Sequence, residues 1–304
     1  MSKIHDALRK IQGGKEPAPE NAEASSSAPI ARLTQSTTGA EFRQFGDDAR
    51  LVAVDRNLLR RHGLLAPENQ ARFVADQYRL IKRPILANIA QSRESGDDEP
   101  MNLIMVASAL PGDGKTFNCI NLALSIASER DVSVVLVDAD VAKQHISALF
   151  GIGDEPGLID LLADTSLSIR DVVIRTDIPS VYLMPAGSRS EDATELFASR
   201  RMAEVAGECA AMNSSTVFIF DSPPILATSE SRVLASSVGQ VVVVVRASAT
   251  PQHSVIEALE GLDASKPINL LLNESGYGFG LEGQEPYGYP QASAPRARVL
   301  SDAG

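Results

Sequence analysis

The chain has 304 residues, with 28 Lys and Arg against 39 Asp and Glu, a formal net charge of −11, 44% hydrophobic and 22% charged residues. That apolar share is too high for wholesale disorder, and the acidic balance argues against nucleic acid as the main partner, since neutralising phosphates takes clustered Lys and Arg. Nucleotides stay open, because backbone N–H groups and one Lys suffice for a small phosphate ligand.

Cys119 and Cys209 are the only cysteines and form no CxxC unit, so neither a disulfide framework nor a zinc site is readable and a reducing compartment is expected. His5, His62, His145 and His253 are scattered singly, as surface or structural residues rather than metal ligands. Apolar runs such as Val241–Val245 fall far short of a membrane span, and the charged, amphipathic start is unlike a signal peptide. A cytoplasmic protein is expected.

In chain order, Ile4, Leu8 and Ile11 fall on one face of a short helix over residues 1–12, either a docking element or a frayed terminus. Residues 13–49, rich in Gly, Pro, Ser and Glu, read as a flexible linker. A helical segment over 50–99 follows, its main helix beginning near Glu68. Asp76, Arg79 and Lys82, at i, i+3 and i+6, lie close to one face of it, available for ion pairs with another helix or subunit, or simply solvated.

Between 100 and 275 apolar strands alternate with helices: strands over 102–109, 133–140, 216–222, 240–248 and 268–274, helices over 115–129, 192–212 and 252–262. Continuously apolar strands suit a parallel sheet covered on both faces, so the expected fold is α/β, a doubly wound, mostly parallel sheet with its site at the carboxyl ends of the strands. The stretch 276–304 changes character again. It holds three of the five tyrosines, Tyr277, Tyr287 and Tyr289, spaced by Gly and Pro, and nothing in it suggests a packed element.

The strongest chemical signal is Ala109–Thr116, ALPGDGKT, which matches the phosphate-loop pattern GxxxxGK[ST] with Ala in place of the first Gly. It follows a predicted strand and opens a predicted helix, the context a phosphate cradle requires. Pro111, Gly112, Asp113, Gly114 and Phe117 belong to the expected cradle, Lys115 supplies charge at the β- and γ-phosphates, and Thr116 a hydroxyl for Mg2+. Asp138 and Asp140 at the end of the second strand are expected on one side of it, as a magnesium site or a base. Asp221 ends a third apolar strand, the position of a magnesium-organising acid in phosphate-loop enzymes. No water-positioning Gln stands out, so transfer to a hydroxyl acceptor is as open as hydrolysis, and the tail tyrosines offer that hydroxyl.

These residues together resemble the bacterial tyrosine kinases of extracellular polysaccharide synthesis, a phosphate-loop family close to the MinD/ParA ATPases. ALPGDGKT, VVLVDAD and VFIFDSPP look like that family's Walker A, A′ and B motifs, and the likeness extends to PGLIDLL, LMPAG and ATELFASRRM. The resemblance implies ATP and Mg2+ as cofactors, with Lys115, Thr116, Asp138 and Asp221 on the phosphates and ion. It implies Asp140 or Asp138 as the base and autophosphorylation of Tyr277, Tyr287 and Tyr289. It further implies a ring-like homo-oligomer joined through Asp76, Arg79 and Lys82, where the family has a charged ExxRxxR helix. A membrane chain-length determinant that activates the kinase and holds it at the inner face of the membrane, and a cognate phosphotyrosine phosphatase, complete the implied partners. Asn273 matches an adenine-reading Asn of related ATPases, or caps a turn. The chain departs from the family in Lys82 and Lys143, where Arg is usual, and in Phe279, which interrupts the tyrosines. A MinD/ParA-like positioning ATPase is the alternative, although no signature Lys precedes Gly114.

Overall fold

The computed structural model describes residues 45, 50–96, 99–212 and 215–275. The expected N-terminal helix, most of the linker and the tail tyrosines Tyr277, Tyr287 and Tyr289 lie outside the described residues.

In chain order the elements are β1 (Leu51–Val52), α1 (Arg56–Arg61), α2 (Ala71–Ser95), β2 (Leu103–Ser108), α3 (Lys115–Ala127), β3 (Ser133–Asp138), α4 (His145–Leu149), α5 (Leu158–Ala163) and α6 (Ile169–Val172). They continue with β4 (Ile174–Thr176), β5 (Val181–Met184), α7 (Ala193–Phe197), α8 (Arg200–Ala211), β6 (Thr216–Asp221), α9 (Glu230–Ser237), β7 (Gln240–Arg246), α10 (Gln252–Glu260) and β8 (Ile268–Asn273). The strands form one sheet in the order β1-β4-β5-β3-β6-β2-β7-β8, parallel throughout except where β4 meets β5. Every residue of β2 and β6 is buried, which is why those strands are apolar without alternation. The mostly parallel α/β sheet is therefore the expected one.

Two expectations are corrected. Residues 50–99 are not wholly helical, because Leu51 and Val52 pair with Arg175 and Thr176 at the sheet edge. A two-residue strand carries too little periodicity to be read from sequence. Phe45, inside the expected linker, is buried, its ring 4.7 Å from that of Tyr182.

The sheet's register places the chemistry. β2 lies between β6 and β7, and Asp138 at the end of β3 is the direct partner of Asp221 at the end of β6. Beside them, the turn before α5 locks onto the segment after β5. Leu158 N–H donates to Pro185 O at 2.9 Å and Ile159 N–H to Ala186 O at 3.0 Å, while Asp160 Oδ2 accepts from the amides of Gly157 and Ser188. The resembling segments PGLIDLL and LMPAG are thus two halves of one joint. A Cβ on Gly157 would stand 2.1 Å from Pro185 O, so only Gly allows the approach. Gly157→Ala is expected to cost about 1–3 kcal/mol, read as a lowered urea midpoint with an unchanged denaturant slope.

Candidate active site

The phosphate loop is a tight turn braced from several sides. Gly112 and Gly114 have φ of +86° and +97°, the left-handed region that favours glycine. Gly114 is constrained twice, since a Cβ there would also meet Asn273 Nδ2 at 2.1 Å. Asn273 Nδ2 donates to Asp113 O at 2.9 Å, so this residue, a candidate adenine reader or turn cap, braces the loop.

Asp113 braces the loop through its side chain. Its Oδ2 accepts from Leu110 N–H and its Oδ1 from the Thr250 hydroxyl at 2.7 Å, so any contact with phosphate falls to its main chain. Thr250 in turn accepts from Arg246 N–H, tying the loop to the end of β7. Pro111 and Gly112 are exposed at the tip of the loop, and Lys115 is buried at the start of α3.

Behind the loop runs a second set of bonds that the sequence did not announce. Tyr78 of α2 donates its hydroxyl to Asn118 Oδ1 at 2.7 Å, and Asn118 Nδ2 donates to Gly114 O at 2.9 Å. Asn118 carries the sequence signal: a buried side-chain amide in α3, like its neighbour Asn121, needs a partner. Burial pushes the Tyr78 hydroxyl well above the usual phenol range, so it stays a proton donor.

The carboxylates divide by environment. Thr116 donates its hydroxyl to Asp221 Oδ2 at 2.7 Å, which leaves the hydroxyl lone pairs free for a cation. Asp138 Oδ2 accepts from both the amide and the hydroxyl of Ser147, each at 2.7 Å, and Ser147 Oγ accepts from Ala186 N–H. The other oxygen of each acid, Asp138 Oδ1 and Asp221 Oδ1, is buried with no hydrogen-bond partner. Two orphaned carboxyl oxygens on paired strands, beside an oriented hydroxyl, fit a hard divalent cation that keeps most of its water, as Mg2+ does.

Asp140 is not on the strand. β3 ends at Asp138, and Asp140 lies in the following turn, its Oδ1 only 3.3 Å from Lys143 N–H. The expected same-strand pair is therefore corrected to one acid held by Ser147 and one more loosely held at the turn.

Asp76, Arg79 and Lys82 do not share a face. Asp76 and Arg79 are exposed and paired with each other. Lys82 is buried, donating to Ser125 O and Ser128 Oγ of the α3 end and pairing with Glu129 at 2.8 Å. At about 100° per residue, i+6 stands about 120° round the helix from i, which turns Lys82 onto α3.

Against the α2 side of the loop lies a cavity of about 850 Å3, lined among others by Phe73, Tyr78, Gly114, Phe117, Leu272 and Asn273. Flat apolar walls beside an exposed phosphate loop define a nucleoside-sized site. The fold and this cradle together define a phosphate-loop protein of the parallel α/β class.

No family model matches the chain. Tyrosine-protein kinase YwqD of Bacillus subtilis is 30% identical over 219 residues, 71% of this chain and 85% of YwqD. Putative tyrosine-protein kinase EpsB of Ralstonia nicotianae is 33% identical over 165 residues, 54% of this chain, and the chain spans only 21% of EpsB. Among solved structures, the VpsO kinase domain superposes with a TM-score of 0.55 at 28% identity, covering 68% of this chain and 98% of that domain. The chain belongs to the bacterial tyrosine-protein kinase family. Among the described residues, no helix is long and apolar enough to cross a membrane.

Burial raises the Asp221 carboxyl to about 7 and Asp138 above the usual carboxylate range. The folded, cation-free protein therefore holds a proton on Asp221 that the unfolded chain releases near its ordinary value of 3.8. The cost of burying this group is smallest below that value, grows as pH rises, and is complete once pH passes about 7. Asp221→Asn should thus raise the melting temperature of the nucleotide-free protein at pH 8 by about 5 °C, the response to roughly 2 kcal/mol in a domain of this size. The gain should shrink at pH 5.5, and added Mg2+ and ADP should stabilise the wild type more than the variant; scanning fluorimetry at both pH values reads all three.

Proposed function

We propose that the chain is an ATP- and Mg2+-dependent protein-tyrosine autokinase whose acceptors are Tyr277, Tyr287 and Tyr289 of a neighbouring copy. The observation that carries the reading is the pair of orphaned, buried carboxylate oxygens in register beside the Thr116 hydroxyl, at the mouth of a phosphate loop in a chain of this family.

The residues divide the work. Lys115 and the loop amides hold the phosphates, with the α3 N-terminus adding its dipole. Thr116, Asp138 and Asp221 would hold Mg2+, which supplies charge neutralisation as the γ-phosphoryl group moves. Phe73 and Phe117 would flank the base, and Asn273 braces the loop through Asp113 O. Ser147 fixes Asp138 through two hydrogen bonds, so the less engaged Asp140 is assigned as the group that accepts the phenolic proton.

Asp76 and Arg79 are the exposed charges offered to a neighbouring subunit, and Lys82 takes no part in that contact. A membrane-bound chain-length determinant would activate the kinase at the inner face of the membrane, and a cognate phosphatase would reset it. Each phosphate adds about −1.5 to −2 charges to a tail already free of basic residues between 276 and 295, so multiple modification would drive copies apart and gate polysaccharide assembly.

Mass spectrometry after incubation with ATP and Mg2+ is expected to map phosphate to the tail tyrosines of the wild type and to find none in Lys115→Met. Asp140→Asn should slow transfer by about 10²–10⁴-fold while binding ADP normally. Release of free phosphate with no phosphotyrosine would instead support a positioning ATPase.

A further inference from the structure

Next to the nucleoside-sized cavity, and sharing Gln77, Ile81, Leu271, Leu272 and Ser275 with it, a groove of about 310 Å3 runs between α2 and β8. Gln77, Leu80, Ile81 and Pro84, at i, i+3, i+4 and i+7, form its helical wall, and residues 269–272 of β8 line it opposite. The groove is apolar and open. Leu80 and Leu272 are 58% and 50% exposed, and Asn269 Nδ2 is buried with no hydrogen-bond partner among the described residues. Large apolar side chains in water beside an unsatisfied amide mark a surface that something covers.

The chain itself leads there. Ser275, two residues past the end of β8, is part of the lining, so residue 276 starts at the groove. Composition gives 276–304 no packed element, yet its first residues are patterned: Gly276, Gly278 and Gly280 alternate with Tyr277, Phe279 and Leu281. In an extended backbone alternate side chains point the same way, so this segment would carry its large side chains on one side and none on the other. From Tyr277 to Leu281 it would span about 13 Å. The helical wall from Gln77 to Pro84 is about 10 Å long. A cavity of about 150 Å3 already holds a benzene ring, so the groove has room for the Phe279 ring.

We propose that residues 276–281 fold back along this groove of their own chain, with Phe279 as the anchor, and that this strap sets the order in which the tail is modified. The ordering rests on the autokinase reading above; the docking does not. Gly276 supplies the turn, since glycine enters the left-handed region without steric cost. A main-chain carbonyl of the strap would satisfy Asn269 Nδ2. Tyr277, two residues from the anchor, is withheld from a neighbouring copy, whereas Tyr287 lies beyond Leu281 on a free reach of about 20 Å. Tyr287 and Tyr289 are therefore modified first and Tyr277 last. A phosphate on Tyr277 sets about −1.5 to −2 charges against an apolar groove, so the modified strap stays out until the phosphate is removed.

The chain has no tryptophan, so Phe279→Trp and, as the exposed reference, Tyr289→Trp each give the full-length protein a single indole. Without nucleotide, the Phe279→Trp emission is expected to be blue-shifted and shielded from acrylamide, equally at all protein concentrations. Adding Leu80→Asp and Pro84→Asp, both on the exposed side of α2, should bring it to the reference values with the far-UV circular dichroism unchanged. Emission equal to the reference, or unmoved by the groove variants, would overturn the docking. A blue shift that grows with concentration would place the strap on a second copy and overturn it as well. With ATP and Mg2+, site-resolved mass spectrometry should find Tyr277 lagging behind Tyr287 and Tyr289, and Phe279→Ser should abolish the lag. A lag that persists in Phe279→Ser would overturn the ordering. No phosphotyrosine at all, with the indole still shielded, would contradict the autokinase reading and leave the strap standing.

Discussion

Two carboxylates buried side by side set the terms for the rest of this molecule. Asp138 and Asp221 face each other across adjacent parallel strands, each with one oxygen bound by a hydroxyl and the other bound by nothing. Burying one unpaired carboxylate is costly, and a second nearby raises the cost, so the free protein keeps a proton there near neutrality. The arrangement is unfavourable for folding and favourable for a cation, and the apolar sheet around it absorbs the difference.

The surrounding structure holds that pair in place from both sides. Ser147 links Asp138 to the joint between the α5 turn and the segment after β5, where Gly157 permits contact with Pro185. Tyr78 of α2 supports Gly114 through Asn118 of α3, while Thr250 after β7 and Asn273 of the edge strand β8 support Asp113. The helix that braces the loop through Tyr78 also carries the exposed Asp76–Arg79 pair. Preorganisation of this kind lets the loop meet a phosphate chain without rearranging.

Much of this was legible in the sequence, for physical reasons. Continuous apolar runs such as Val241–Val245 can only be buried strands, and ALPGDGKT between a strand and a helix has few other uses. What escaped was long-range or short. Thr250 meets Asp113 across 137 positions, a pairing no local pattern encodes. The strand Leu51–Val52 exists only because the sheet edge is there to receive it. The spacing 76, 79, 82 resembles one face, but a step of six turns the Lys82 side chain onto α3. Asp140 misled because strand geometry was extended past the residue where the ladder ends.

Calorimetric titration of Mg2+ and ADP into the protein near pH 7, in two buffers of different ionisation enthalpy, tests whether the carboxylate pair waits for a cation. Binding should release more protons from the wild type than from Asp221→Asn, the difference approaching about half a proton near pH 7, where burial places the Asp221 carboxyl. Proton-neutral binding by the wild type, or the same release from the variant, would contradict the account.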